Sequence, residues 1–184
     1  MRSLKTAELA IDSLTAHPLS LEIFGELEDH RIIDLQSDIE DRGLQYPLEV
    51  DNQNRVICGS QRLKAITALG WDTAPCLVRD DLQTEDEIRA HLLKDNVFRR
   101  QLTPGQMAKA GRELERIYGA QAKQRMVEGG QHKPLENTED SFTPLVEPSP
   151  IHTIDRVAAD LGTSPTTYGR IKTIYDKGDA QLQH

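Results

Sequence analysis

Aromatic side chains are scarce: one tryptophan, four tyrosines and three phenylalanines make up 4% of the 184 residues. With 37% hydrophobic residues and a mean hydropathy of -0.56, the chain reads as a soluble, lightly built protein above the disordered range. Cysteine is nearly absent as well. Cys58 and Cys76 share no CxxC spacing and cannot make a disulfide framework, so both are expected as reduced, buried thiols of a cytoplasmic protein. No run approaches the ~18 apolar residues of a membrane span. The start, MRSLKTAELAIDSL, lacks the apolar centre of a secretory signal. There is no GxxxxGK[ST] phosphate loop, which excludes an ordinary P-loop ATPase. The six histidines form no HxxxH or similar ligand pair, so a transition-metal site is not expected.

What is present is acid. The formal net charge is -8 and the pI about 5.2, which argues against a surface that grips polyphosphate everywhere. The charge is unevenly spread. Residues 20–51 carry ten acids against Arg31 and Arg42, whereas residues 94–133 carry nine bases against four acids. A basic strip therefore follows an acidic stretch, and any basic groove is expected to draw on Arg112 and Arg116. The plain alternative is a set of solvated helix faces.

The apolar period switches along the chain. Leu9 to Leu14 reads as a strand, LEIFGELEDHRIIDLQSDIEDRG has helical spacing through Ile32, Leu35 and Ile39, and Gly43 stops it. Leu48–Val50 and Arg55–Cys58 read as strands around the turn DNQN. A helix then runs from Ser60 to Gly70, APCLV is a strand, and Thr84 with Glu87 caps a helix over TEDEIRAHLLKDNVF. Thr103 and Pro104 open a longer helix. The expected class is α/β (α+β): a small mixed sheet with helices over residues 1–100, a bridging helix over 101–127, a flexible linker over 128–150, and an all-helical unit over 151–184.

That last unit has the layout of a helix-turn-helix. Ile154, Val157, Ala158 and Leu161 would face inward from one helix, Gly162 makes the turn, and Tyr168, Ile171 and Ile174 face inward from the next. Ser164 is placed to cap the second helix and Pro165 to begin it. Ser164, Thr166, Thr167, Arg170 and Lys172 are then the candidate contacts to double-stranded DNA. The alternative is an ordinary helical hairpin; four bases against four acids in residues 151–184 give no strong positive footprint.

Two motifs in the first hundred residues point to phosphate chemistry. In RVICGSQRLKAI, a glycine and polar residues stand between a strand and a helix start, where backbone N–H groups and the helix dipole favour an anion. Gly59, Ser60, Gln61 and Arg62 are the candidates there. In KDNVFRRQLTP, Asp95 and Asn96 offer oxygen ligands for magnesium, and Arg99 and Arg100 suit phosphates. Each motif alone also admits a local reading as helix capping and surface charge.

Taken together, HPLS, GLQYPLEV, VICGSQRLKAITALGWDTAPCLV and DNVFRRQLTPGQMA resemble, in order and spacing, the ParB family, a ParB/sulfiredoxin-like N-terminal domain followed by a helix-turn-helix. The resemblance is to the shorter plasmid- or phage-type members. It implies CTP or another nucleotide with magnesium at the two motifs, a DNA site for the helix-turn-helix, a homodimer, and a role in partition or transcription. It also implies that the C-terminal dimerisation domain of longer relatives is not part of this chain. Gly59, Arg62, Asn96 and Arg99 match the family pattern, and Asp95 keeps a carboxylate. Ser60, Gln61, Tyr46 and Phe98 depart from it: the glutamate and first arginine of Gly-Glu-Arg-Arg are missing, which speaks for binding over hydrolysis. Ser60 also stands where sulfiredoxin needs a cysteine. The second reading is a nucleotide-hydrolysing or nuclease-like enzyme of the same superfamily.

Overall fold

The computed structural model describes residues 5–25, 29–99, 102–129 and 150–182. Most of the expected linker, residues 130–149, and Arg100 lie outside them, as does the side chain of Arg99. The chain divides into two compact units, Met1–Arg99 and Arg100–His184.

The first unit is a five-stranded mixed sheet with helices. Its strands are β1 (Lys5–Ala10), β2 (Thr15–Ala16), β3 (Leu48–Val50), β4 (Arg55–Cys58) and β5 (Thr73–Val78), in the order β1-β5-β3-β4-β2. β1 runs antiparallel to β5, β5 parallel to β3, β3 antiparallel to β4, and β4 parallel to β2. The expected strand at Leu9–Leu14 is displaced: β1 begins at Lys5 and a 3-10 turn over Ile11–Ser13 ends it. The Ser13 hydroxyl donates to the Ala10 carbonyl at 2.6 Å, a local bond that competes with continued pairing.

The β3–β4 hairpin is shaped by buried Asp51. Its carboxylate accepts from the backbone N–H of Gln53 and Arg55 and from the Arg55 side chain, while Asn54 takes the left-handed conformation at φ 58°. The helical spacing after Pro18 resolves into α1 (Pro18–Phe24) and α2 (Asp29–Arg42), separated at Gly25, which caps α1 at φ 68°. α3 (Ser60–Ala68) packs on α2, and α4 (Glu85–Arg99) packs on β4. Thr84 and Glu87 cap α4 reciprocally, as the sequence predicts.

Leu48 and Val50 point to one sheet face and meet Ile39, Leu63, Ala65, Ile66, Ala74 and Cys76 in a buried core. Glu49 alternates to the other face, where α4 lies. Trp71 packs at the rim of the core rather than standing out as a stacking platform.

The second unit is helical: α5 (Pro104–Gly129), α6 (Pro150–Asp160) and α7 (Pro165–Leu182). The helix expected as a bridge packs against both α6 and α7 and so belongs to this unit's core. Leu114, Ile117, Tyr118, Val157, Ala158, Leu161 and Tyr168 are buried in it. Ile174, expected inward, is 73% exposed, and Ile154 is exposed too. On α7 the inward position goes to Tyr168, whose ring lies directly over Gly111.

Candidate functional site

Gly59 ends β4 and caps α3 with φ 102°, a conformation that L side chains rarely adopt. A Cβ there would also lie 2.9 Å from Leu48 Cδ2 and 2.8 Å from Arg62 Nη2. The glycine is needed because Arg62 folds back over it. The Arg62 guanidinium donates to the carbonyls of Tyr46 and Pro47 at 2.5 and 3.0 Å, pinning the segment that leads into β3. Arg62 therefore holds backbone here, in addition to being a charge beside the α3 N-terminus.

Ser60 and Gln61 line a cavity of about 480 Å³ bounded by α1, α2 and α3. Leu21, Ile32 and Leu63 give it an apolar wall; Lys64 and Thr67 continue the polar edge of α3. Ser60 Oγ lies 3.4 Å from Ser20 Oγ, a link from α3 to α1. Asp95 and Asn96 do not line this cavity: they sit on α4. Asn96 is buried and its Nδ2 donates to the Leu92 carbonyl at 2.9 Å. That bond fixes which way the amide points, turning Oδ1 away from the carbonyl as an acceptor of the kind a hard cation takes.

Sequence reasoning missed two polar networks that fasten α4 to the sheet. In the first, buried His17 accepts from Leu19 N–H through Nδ1 at 3.2 Å, capping α1, and so presents Nε2–H to Glu85 Oε1 at 3.0 Å. Arg55 joins Glu85 at 2.7 Å and Asp51 at 2.6 Å. Burial lowers the His17 pKa against the opposing bond from Glu85. Burial acts to raise the Glu85 pKa, but the hydrogen bonds from Arg55, His17 and Arg89 outweigh it and bring it down to about 2.

In the second network, Arg79 Nη1 lies 2.6 Å from both Glu49 Oε2 and His91 Nε2, and His91 Nε2 lies 2.9 Å from the same Glu49 oxygen. Asp81 grips the other side of the guanidinium with two 2.8 Å bonds. The His91 bond, opposed by burial and helped by Arg79, lowers the Glu49 pKa to about 2. Buried Cys58 places Sγ 3.8 Å from His91 Nε2. Cys76, by contrast, lies in the core and burial pushes its thiol up to about 11.

In the helical unit, Ser164 Oγ accepts from Thr167 N–H at 3.1 Å and so caps α7. Thr166, Thr167 and Arg170 are exposed at its first two turns. Lys172 is not turned outward as expected: its Nζ pairs with Glu115 Oε2 of α5 at 2.6 Å, beside the Tyr168 hydroxyl, which donates to Glu115 Oε1 at 3.0 Å. Nor is the basic strip a bare positive surface. Arg116 makes two bonds to Glu113, and Arg112 pairs with Asp176 and lies over the Tyr175 ring.

The family profile of the ParB N-terminal domain matches residues 2–96, more than half of the chain. The chain belongs to this family. Similar to this ParB-family chain are the nucleoid occlusion proteins of Halalkalibacterium halodurans, 28% identical over 95 residues, and of Bacillus thuringiensis (strain Al Hakam), 32% identical over 95 residues. Each alignment covers 50% of this chain and about a third of the relative, 33% and 32% respectively. Two solved structures of a pNOB8-like ParB N-domain share its fold at a TM-score of 0.57. One, the C2221 form, has 18% identity and covers 89% of this chain and 66% of its own; the other has 17%, 94% and 65%. The ParB profile spans both sequence motifs up to Asn96, so Gly59, Arg62 and Asn96 stand inside the shared domain, while α5, α6 and α7 lie beyond it. Among the described residues no helix is long and apolar enough to cross a membrane.

Proposed function

We propose that this ParB-family chain binds double-stranded DNA through α6 and α7, acting as a helix-turn-helix, and a nucleoside triphosphate with magnesium through its N-terminal unit. The observation that carries the reading is the family match over the segment holding Gly59, Arg62 and Asn96. The start of α7, with Thr166, Thr167 and Arg170 exposed beyond a Ser164 cap, has the form of a helix that reads base edges. The similar curated proteins are named for nucleoid occlusion, which supports a chromosomal or plasmid DNA partner.

For the nucleotide, the N–H groups at the start of α3 and the Arg62 charge suit phosphates, and Asp95 with Asn96 suits magnesium, which would neutralise phosphate charge when bound. Arg99 and Arg100 follow as further phosphate partners. CTP is the first candidate because the family resemblance names it. Ser60 and Gln61 offer no carboxylate to orient a water, so binding without turnover is the expected behaviour. The experiment is calorimetry of the full chain with each of the four triphosphates and magnesium. CTP binding that weakens in Asn96→Ala, with no phosphate release, supports the reading. Absence of heat for every nucleotide removes the nucleotide half, and brisk phosphate release favours an enzyme instead. For the DNA half, Thr167→Ala and Arg170→Ala are each expected to cost about 1–3 kcal/mol at a specific site. Unchanged anisotropy titrations in both would remove α7 from DNA reading.

A further inference from the structure

Apart from the phosphate and magnesium candidates Gly59–Arg62 and Asp95–Arg100, the described residues bring one set of soft and hard metal ligands to a point. Glu49, Cys58 and His91 each offer one ligand atom, and all three atoms lie within 4.8 Å of one another. Glu49 and Cys58 are directly paired across β3 and β4, and His91 comes down from α4. Three rigid elements thus supply one ligand each. We propose that Glu49, Cys58 and His91 form a binding site for a borderline-soft divalent cation, with zinc the best fit.

The distances support tetrahedral coordination. Ordinary Zn–N, Zn–O and Zn–S bonds at tetrahedral angles separate N from O by about 3.4 Å and S from N by about 3.6 Å. The structure has 2.9 Å between His91 Nε2 and Glu49 Oε2, and 3.8 Å between His91 Nε2 and Cys58 Sγ. Shifts of about half an ångström or less close the difference for these two pairs, and the Glu49 and Cys58 ligand atoms lie within 4.8 Å of one another. The donor set, one thiolate, one imidazole and one carboxylate, selects zinc over magnesium or calcium, which take oxygen alone. Three protein ligands leave a fourth position open. Glu49 and His91 are 17% and 27% exposed, so a hydrated ion can reach them.

Arg79 is the competitor. Its Nη1 holds the space between Glu49 and His91, but Asp81 binds Nε and Nη2, so the guanidinium keeps a partner when Nη1 is displaced. Zinc binding then exchanges the two Arg79 Nη1 contacts, to Glu49 and to His91, and the direct His91–Glu49 contact for three metal bonds. The Cys58 thiol gives up its proton to solvent, neutral His91 carries its proton on Nδ1 so that Nε2 offers its lone pair to the metal, Arg79 stays protonated, and charge balances without any redox change.

The test uses the purified full chain stripped of metal by a chelator. Zinc is titrated against a chromophoric competitor, and cobalt reports sulfur ligation through its thiolate charge-transfer band. We expect one equivalent bound, the band present, and about one proton released per zinc. Cys58→Ser should abolish the band and, like His91→Gln, weaken zinc by about tenfold or more. Cys76→Ser should change neither. Arg79→Gln should tighten binding, which a merely structural role for the cluster does not predict. No cobalt band in the wild-type chain, a band that survives Cys58→Ser, or one lost in Cys76→Ser would overturn the site. Wild-type and Arg79→Gln readings decide the matter even where a ligand variant folds poorly, and neither depends on nucleotide or DNA binding.

Discussion

Two glycines of the same helix, α5, illustrate how a residue's cost depends on what it faces. At Gly111 a Cβ would come within 2.5 Å of Tyr168 Cζ and its hydroxyl oxygen, because the buried ring packs onto the α5 backbone. Gly119 has nothing within 4 Å of the same added atom. Alanine is ordinarily the better helix former, and at Gly119 it is expected to raise stability by up to about 1 kcal/mol. At Gly111 overpacking wins, and Gly111→Ala is expected to destabilise the helical unit by about 1–3 kcal/mol. Denaturant melts of the two variants, followed by helical circular dichroism, should move in opposite directions. A shift of Gly111→Ala toward greater stability would show that Tyr168 does not seat where described.

Helix α4 is held to the sheet by charge as well as by Ile88, Leu92 and Leu93. That makes its docking sensitive to acid, and two windows follow from the shifts. Glu49 has its pKa lowered to about 2 from 4.5, so its contribution is complete above about 4.5 and is lost as pH falls from there towards 2. His17 is held below 6.5 by burial, so the unfolded chain takes up its proton first; stability is complete above 6.5 and declines as pH falls beneath it. Both signs agree: the protein should be more stable at pH 7 than at pH 5, and more at 5 than at 3. His17→Asn keeps a side-chain oxygen to cap α1 but does not titrate, and should flatten the upper window. Glu49→Gln should flatten the lower one. Thermal melts across pH in chelator, to keep metal out, would count against the two networks if either variant followed the wild-type curve.

At the scale of the whole molecule, a net charge of -8 must be reconciled with the DNA partner proposed above. Much of the cationic strip on α5 is spent internally, on Glu113 for Arg116 and on Asp176 for Arg112. Lys172 of α7 is likewise engaged, with Glu115 of α5. Affinity should therefore rest on few phosphate contacts and depend only modestly on salt. Replacing Arg170 by alanine should reduce the slope of log affinity against log salt by about 0.9 for each phosphate contact it makes. Arg116→Ala should leave the slope unchanged. The reverse result would return the strip on α5 to the DNA-facing role that its sequence composition alone proposes.

Local chemistry was legible in the sequence. DNQN as a hairpin turn and Thr84 with Glu87 and Ser164 as caps depend on groups a few residues apart, so short-range sequence is enough to show them; Gly59 was legible as the break between β4 and α3, though not what packs over it. The α/β class and the family followed from periodicity and motif order. Tertiary structure alone decided what Arg62 and Lys172 bind, that Ile174 turns outward while Tyr168 keeps the inward position its spacing gave it, and that α5 packs with α6 and α7. It also brought Glu49, Cys58 and His91 together. No spacing rule links positions 49, 58 and 91, because strand pairing joins the first two and helix docking adds the third. Side chains distant along the chain meet only once the sheet and α4 have fixed their separation, so such a cluster leaves no short-range signal to read.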